Sequence, residues 1–248
     1  TVQGLLKLAG VPFVGAGVLG AAVGMDKDVM KRLLRDAGIP IGKFLVFKQE
    51  DPIDFERVSS ELGLPFFIKP ANLGSSVGVS KVKGREEFDK AINNAFQYDT
   101  KILIEEFIDG KEIECAVLGN QNPIASGVGE IIPSHEFYSY DAKYIDEHGA
   151  SLEVPAKISD DVRERVRELA IKTFKTLSSE GLGRVDFFLK KDGGLIVNEI
   201  NTMPGFTKIS MYPRLWEAAG ISYSSLIDRL IELATERFER ELKLKSSY

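Results

Sequence analysis

The first half of the chain alternates short apolar runs with amphipathic segments. After Asp26, apolar residues in "DVMKRLLRDAG" recur with helical spacing, and Gly38 and Pro40 end the predicted helix. Strands are predicted at "KFLVF", "LPFFIKP", "GVSKV" and "KILIEEFI", with helices at "DFERVSSELG" and at residues 85–96. This pattern predicts a small α/β unit over roughly residues 25–105.

The second half groups its strands before its helices. "KEIECAVLG" and "NPIASGVGEII" read as consecutive strands, followed by a polar, tyrosine-rich stretch at 134–153. A long helix from Asp160 to about Ser179 comes next, then a strand pair, then a final amphipathic helix over about 222–242. Such grouping favours an α+β domain. The opening "TVQGLLKLAG" and the strand-like "VPFVG" suggest the end of an α/β unit whose earlier strands are absent.

The strand pair in "GRVDFFLKKDGGLIVNEINTMPG" carries unexpected oxygen ligands. If Asp192-Gly193 forms a two-residue turn, Asp186 lies opposite Glu199. If Gly193-Gly194 forms it, Asp186 lies opposite Asn201 instead. Residues two apart share a face of a strand, so Asp186, Glu199 and Asn201 converge in both registers, on a face that Phe188 and Val197 should share.

Two facing carboxylates repel each other, so a positive group should lie between them. Two carboxylates and an amide oxygen suit Mg²⁺, which prefers oxygen ligands. The alternative is a solvent-exposed strand face that carries acids by chance. Arg184, on the same face, is either a surface cation, an ion-pair partner of these acids or a catalytic group.

Three further features suggest a bound phosphate. In "NLGSSVGVS", residues 72–80, two glycines flank two serines, so that several backbone N–H groups could hold an anion. Lys69 ends an apolar strand, and Lys27 directly follows a predicted N-cap, where the helix dipole mildly disfavours a cation. Glycine-serine turns and terminal lysines are common, so only the combination predicts a Mg-nucleotide site between the two blocks.

The segment "ILIEEFIDG", residues 102–110, could hold the nucleoside. Its strand edge offers backbone groups for a base and a carboxylate for ribose hydroxyls. Taken alone, Glu105 and Glu106 would be ordinary surface acids.

Composition narrows the class of protein without identifying it. The net charge of −5 gives no reason to expect nucleic acid, and no apolar run approaches the ~20 residues of a membrane span. The single cysteine, Cys115, can form no internal disulfide, and a buried thiol in a reducing cytoplasm is the simplest interpretation. We therefore expect a cytoplasmic protein with no nucleic-acid or membrane partner.

The order of these motifs resembles the D-alanine–D-alanine ligases of the ATP-grasp superfamily. The resemblance rests on Lys27, "IKP", "GSSVG", "EEFIDGKE", "AKY", "GRVDF" and "NEINTMPG", and it covers nearly the whole chain. It implies an ATP-grasp fold with three parts: a remnant of an N-terminal α/β domain at 1–20, a small central α/β domain at 21–105, and a larger C-terminal α+β domain at 106–248 with a lid at 134–153.

The resemblance also implies a reaction and its participants. ATP phosphorylates the carboxylate of one D-alanine, and the amine of a second attacks the acylphosphate, which supplies a peptidoglycan precursor. ATP is the co-substrate, two Mg²⁺ or Mn²⁺ ions assist, and the full-length protein is a homodimer. The family's N-terminal glutamate and histidine have no counterpart in this sequence, so the chain is expected to bind Mg-ATP and its own activity is left open.

Roles carried over from the family fall on particular positions. The metal ligands are Asp186, Glu199 and Asn201. The nucleotide would be held by Lys27, Lys69, Ser75, Ser76, Val77, Gly78, Glu105, Glu106, Ile108, Glu112, Phe188 and Asn198. Catalytic roles fall on Ser75, Lys143, Tyr144, Arg184 and Gly205, and the second D-alanine would contact Gly205 and Ser210.

Two departures and two alternatives bear on these roles. Position 106 is often lysine in relatives, which matters little if the base is read through the backbone. Tyr144 matches the tyrosine of amide-forming members, and relatives that make D-alanyl-D-lactate have a different lid. The alternatives are another ATP-grasp ligase, such as the D-lactate ester former, and a nucleotide-binding module without catalysis.

Overall fold

The small sheet is built from the first half of the chain. The computed structural model describes residues 1–133, 150–207 and 209–245. Strands β1 (Phe44–Lys48), β2 (Phe66–Pro70), β3 (Ser80–Val82) and β4 (Lys101–Glu106) pair in the order β1-β4-β2-β3. All three strand pairs are antiparallel. Strands and helices alternate along the sequence as predicted, but the unit is α+β because it has no parallel pair.

The larger sheet follows directly. Strands β5 (Gly110–Gly119), β6 (Ile124–Pro133), β7 (Ala150–Glu153), β8 (Gly181–Lys190) and β9 (Leu195–Asn201) pair antiparallel in the order β7-β6-β5-β8-β9. The chain passes from β4 of the small sheet to β5 of the larger sheet within residues 107–109. Both antiparallel sheets and their helices agree with the predicted mixed ATP-grasp class.

Eight helices lie in the described residues. Their bounds are α1 (Val2–Leu8), α2 (Val18–Met25), α3 (Lys27–Asp36), α4 (Phe55–Leu62), α5 (Arg85–Phe96), α6 (Asp160–Thr176), α7 (Met211–Ala218) and α8 (Tyr223–Leu242). Aromatic residues of α4 and α5 cover the small sheet, with Phe55, Phe66 and Phe88 packed edge to face or tilted. One face of the larger sheet packs on α3 and α6, and the other on α7 and α8.

A short linker ties the two sheets together. After α3, the Val197 N–H of edge strand β9 donates to the Pro40 carbonyl at 2.9 Å, and Ile41 forms an isolated parallel bridge with Val197. Three residues later the same linker enters the small sheet as β1. The cleft between the sheets therefore has this linker at one end.

Several predicted elements agree with the structure and others do not. Asp26 caps α3 through the N–H groups of Asp28 and Val29, as predicted. "VPFVG", residues 11–15, is not a strand, so that prediction is wrong. Helices α2 and α7 and strand β7 were not predicted. The tyrosine-rich lid at 134–153 lies largely outside the described residues.

The β8–β9 hairpin uses neither predicted turn. Lys190 N donates to the Gly194 carbonyl, so the loop has three residues, with Gly193 at φ 82°. A bulge between Asp186 and Phe187 on one strand then places one extra residue, Asn198, in the other. Beyond the bulge the pairs are Asp186 with Glu199 and Arg184 with Asn201.

The prediction that Phe188 and Val197 share a face of the hairpin is wrong, because of the bulge. Val197 pairs with Phe187 and lies in the hydrophobic core, on the opposite side from Phe188. Asn198 and Glu199, although adjacent in sequence, both line the cleft. One extra residue thus adds a polar side chain to the cleft without losing the register of the acids.

No helix in the described part of the chain combines the length and the apolar character needed to cross a membrane.

Candidate functional site

A cleft of about 380 Å³ lies between the two sheets. The predicted residues that line it are Lys27, Lys69, Ser75, Ser76, Glu105, Glu106, Ile108, Glu112, Phe188, Asn198 and Glu199. They come from α3, both sheets and the glycine-serine turn, so residues up to 172 positions apart in sequence meet here. Val77, Gly78, Asp186 and Asn201 are not among the lining residues.

Buried charges form one wall of the cleft. Glu105 Oε2 lies 2.8 Å from Lys69 Nζ and 3.4 Å from Lys31 Nζ. Burial alone would raise the pKa of Glu105, but the two lysines and Lys27 outweigh it and hold that pKa below its usual value. Lys69 is therefore not a strand-end residue leaving for solvent, since its ammonium is held inside the cleft.

Lys27 is positioned through the start of α3. Its Nζ donates to the Leu73 carbonyl at 2.5 Å and lies 3.5 Å from Glu199 Oε2. The cap residue, Asp26, accepts from Lys101 Nζ of β4 at 2.6 and 2.8 Å, which raises the pKa of Lys101 despite the opposing effect of burial. This ion pair anchors the beginning of α3 to the small sheet, and so directs Lys27 into the cleft.

The glycine-serine turn bends back over the cleft. Ser75 and Ser76 have positive φ values of 55° and 58°, and Gly78 has 70°. A Cβ on Gly78 would come within 2.7 Å of Tyr98 and 2.8 Å of Pro70, so this glycine is required by space as well as by conformation. These φ values belong to a tight turn, and a turn can present backbone N–H groups to an anion.

The edge after β4 provides backbone groups beside the cleft. Glu106 Oε1 accepts from Lys43 N at 2.7 Å, and Glu106 N donates to the Lys43 carbonyl at 3.1 Å. The Glu106 side chain is thus bonded to the linker. That a base contacts position 106 through its backbone stays a prediction.

The acid patch contains a buried arginine. Arg184 Nε and Nη2 donate to Asp186 at 2.7 and 2.8 Å, and Glu114 Oε2 lies 2.9 Å from Nε. Asn201 Nδ2 donates to Asp186 Oδ2 at 2.9 Å. Burial would lower the pKa of Arg184, but Asp186 and Glu114 raise it, so Arg184 is a permanent cation and an ion-pair partner of these two acids.

Gly205 and Ser210 lie close together, although neither is among the residues that line the cleft. A Cβ on Gly205 would come within 3.0 Å of Ser210 Oγ, and that oxygen accepts from Thr207 N at 3.1 Å. The two residues predicted to contact the second D-alanine are therefore neighbours. Lys143 and Tyr144 lie outside the described residues.

Some cleft residues were not predicted from the sequence. Lys31 is 1% exposed and pairs with Glu105. Lys111 and Glu130 also line the cleft, as an ion pair at 3.0 Å. The sequence did offer a signal for Lys31, because it lies four residues after Lys27 and so on the same face of the helix.

A family model described as the D-ala D-ala ligase C-terminus matches residues 33–232. A D-alanine–D-alanine ligase of Oceanobacillus iheyensis is 57% identical over the whole of this chain, which spans 68% of that protein. The solved D-alanine–D-alanine ligase of Coxiella burnetii has a TM-score of 0.87 at 40% identity, over 98% of this chain and 66% of that one.

A further solved structure carries a nucleotide. The D-alanine–D-alanine ligase of Bacillus anthracis in complex with ATP has a TM-score of 0.83 at 30% identity, over 97% of this chain and 76% of that one. The matched family model covers most of the chain, including both sheets and all of the cleft-lining residues except Lys27 and Lys31. The chain therefore belongs to the D-alanine–D-alanine ligase family.

Proposed function

We propose that this protein binds ATP in the cleft and joins two D-alanines through an acylphosphate. The observation that carries the proposal is the cleft itself, where buried lysines on one side face Glu199 of the β8–β9 hairpin on the other. The likeness to a ligase in complex with ATP supports it. Binding of ATP and joining of the two D-alanines are assigned to different residues.

The triphosphate would lie between the lysines and the glycine-serine turn. Lys27 and Lys69 would bind its oxygens, and the N–H groups around Ser75 and Ser76 would close over them. The base would contact the backbone at 105–108, with Glu112 on the ribose and Phe188 and Asn198 on the opposite wall. Phosphoryl transfer depends mainly on such positioning and on charge neutralisation.

Asp186, Glu199 and Asn201 fit Mg²⁺ or Mn²⁺, up to two ions. The donors are two carboxylates and one amide, all oxygen ligands, on two strands held in register by the bulge. Arg184 and Asn201 donate hydrogen bonds to the Asp186 carboxylate and so orient it. When bound, the metal would polarise the terminal phosphate.

The second half of the reaction falls to neighbouring groups. Arg184 holds a fixed positive charge near the acids, and with the Gly205 N–H it would stabilise the oxyanion formed when the amine attacks. Ser210, beside Gly205, would bind the carboxylate of the second D-alanine. Lys143 would contact the transferred phosphoryl group, and Tyr144, in the 134–153 lid, would help exclude water.

We also propose that the cleft separates a central domain at 21–105 from a C-terminal domain at 106–248, with residues 1–20 belonging to a further domain.

The test is ATP turnover by the full-length protein. We expect ADP release that depends on D-alanine and on Mg²⁺, with D-alanyl-D-alanine as product identified by mass spectrometry. D-lactate offered as the second substrate should give much less ester than D-alanine gives dipeptide. ATP binding without D-alanine-dependent turnover in a folded protein would overturn the ligase proposal, and preferential ester formation would overturn the assigned acceptor.

A further inference from the structure

Two buried lysines share one carboxylate at the floor of the cleft. Lys31 from α3 and Lys69 from β2 lie 3.4 and 2.8 Å from the same oxygen, Glu105 Oε2. All three side chains are buried, with Lys31 only 1% exposed. A net positive charge is therefore held where little water can screen it.

The two lysines are not equivalent. Lys69 makes the closer pair with Glu105 and lines the cleft together with Ser75 and Ser76, where a phosphate would lie. Lys31 is fully buried, and burial followed by the like charge of Lys69 lowers its pKa while Glu105 opposes both. Among the described residues Glu105 is the one carboxylate within ion-pair distance of Lys31.

A bound nucleotide would change the pairing of Glu105. If Lys69 turns toward a phosphate, Glu105 loses its nearer partner, and a buried carboxylate left without a cation is strongly destabilising. Lys31 is the other cation within ion-pair distance of Glu105 in the described part of the chain. The second oxygen of Glu105, Oε1, has no hydrogen-bond partner among these residues, so it gives no compensation.

We propose that Lys31 is a positioning residue whose ammonium keeps Glu105 paired while Lys69 exchanges that carboxylate for a nucleotide phosphate. The inference rests on the proposed function, because it takes Lys69 as a phosphate ligand. Lys31 itself stays on Glu105 throughout and contacts no phosphate.

The first test is Lys31→Met in the full-length protein. The dissociation constant of a non-hydrolysable ATP analogue is measured by calorimetry, and KM for ATP and kcat are measured by turnover. Removing the partner of a buried carboxylate should weaken nucleotide binding and raise KM about tenfold or more. kcat should change less than about threefold, because the saturated enzyme has already completed the exchange.

A double-mutant cycle separates positioning from direct contact. Glu105→Gln removes the charge that needs a partner, so adding Lys31→Met to Glu105→Gln should change the dissociation constant less than about twofold. If Lys31 bound phosphate itself, its loss would weaken binding equally in both backgrounds and overturn the inference. If Lys31→Met alone does not fold, comparing Glu105→Gln with the double variant still shows whether Lys31 contacts the phosphate directly.

Two controls complete the design. Lys90→Met makes the same substitution on an exposed position of α5 and should leave binding unchanged. Lys31→Arg keeps the charge and should recover most of the lost affinity. Absence of binding by the unmodified protein would overturn the proposed function, whereas normal binding by Lys31→Met would overturn this inference alone.

Discussion

At the scale of single residues, the acids of the hairpin have unequal surroundings. Asp186 is bonded to Arg184 and Asn201, whereas Glu199 faces Lys27 across 3.5 Å. Neutralising Asp186 therefore affects Arg184 and Asn201, whereas neutralising Glu199 affects Lys27. Arg184 retains Glu114 as a partner when Asp186 is neutralised, which limits the effect on folding.

We predict that Glu199→Gln and Asp186→Asn lower Mg-ATP turnover far more than stability. Each substitution removes one carboxylate from the proposed metal site, so turnover should fall about 100-fold or more, since such a metal supplies several kcal/mol. The free energy of unfolding should change by about 1 kcal/mol or less, measured by urea denaturation. Normal turnover by either variant would exclude that residue as a metal ligand.

Cys115 provides a test of the core that is independent of the site. Burial raises the pKa of its thiol to about 12, only partly offset by Ser126. At pH 8 almost no thiolate is present, and the side chain is 0% exposed. We predict no reaction of the folded protein with a disulfide reagent, and one thiol per chain once guanidinium is added. Rapid labelling without denaturant would contradict the packing of β5 in the core.

At the scale of elements, the β8–β9 hairpin shows what the sequence could predict. Alternation of apolar residues predicted both strands, and the convergence of Asp186, Glu199 and Asn201 followed from it. The loop length did not, because Lys191, Asp192, Gly193 and Gly194 permit several turns. The bulge at Asn198 has no signature in the residue pattern, and it moves Val197 to the core face.

Helix α2 could not be predicted from local helix propensity. Glycine disfavours helices, and "VLGAAVGM" therefore gave no helix signal. In the structure a Cβ on Gly20 would collide with the Ser178 carbonyl, and one on Gly24 would come within 2.5 Å of Thr202. The glycines permit close approach of α2 to other segments, so the helix is stabilised by tertiary packing that local propensity does not describe.

The hairpin's two irregular features should have separable effects. Deleting Asn198 removes the bulge and one side chain of the cleft, while Glu199 can keep its pairing with Asp186 in a regular ladder. We predict weaker nucleotide binding in this variant, measured by calorimetry, because the proposed contact of Asn198 with the nucleotide is lost. Gly193→Ala, at φ 82°, strains only the turn and should cost about 1 kcal/mol of stability with nucleotide binding retained. Equal loss of binding in both variants would mean that the bulge has no special role.

At the scale of the whole molecule, the linker at 39–43 is bonded to both sheets. Pro40 accepts from β9 of the larger sheet, and Lys43 exchanges hydrogen bonds with Glu106 of the small sheet. Gly42 lies between these two attachments, and a Cβ there would come within 3.0 Å of Ile108. The separation of the sheets at this end of the cleft is therefore set by a few short contacts.

Glu106 is the attachment that side-chain substitution can remove. Its carboxylate accepts from Lys43 N at 2.7 Å, while its backbone N–H pairs with the Lys43 carbonyl independently of the side chain. A hydrogen bond to a charged group contributes about 1.5–3 kcal/mol. Loss of this one bond should loosen the linker without unfolding either sheet.

We predict that Glu106→Ala accelerates hydrogen exchange of the Lys43 amide at least about tenfold, because the opening free energy falls by more than 1.4 kcal/mol. KM for ATP should rise several-fold with kcat little changed, since a mobile linker widens the end of the cleft where the base would bind. Glu61→Ala removes an exposed carboxylate that pairs with Arg57 on α4 and should change neither quantity. Unchanged protection of Lys43 in Glu106→Ala would show that the linker is held by its backbone contacts alone.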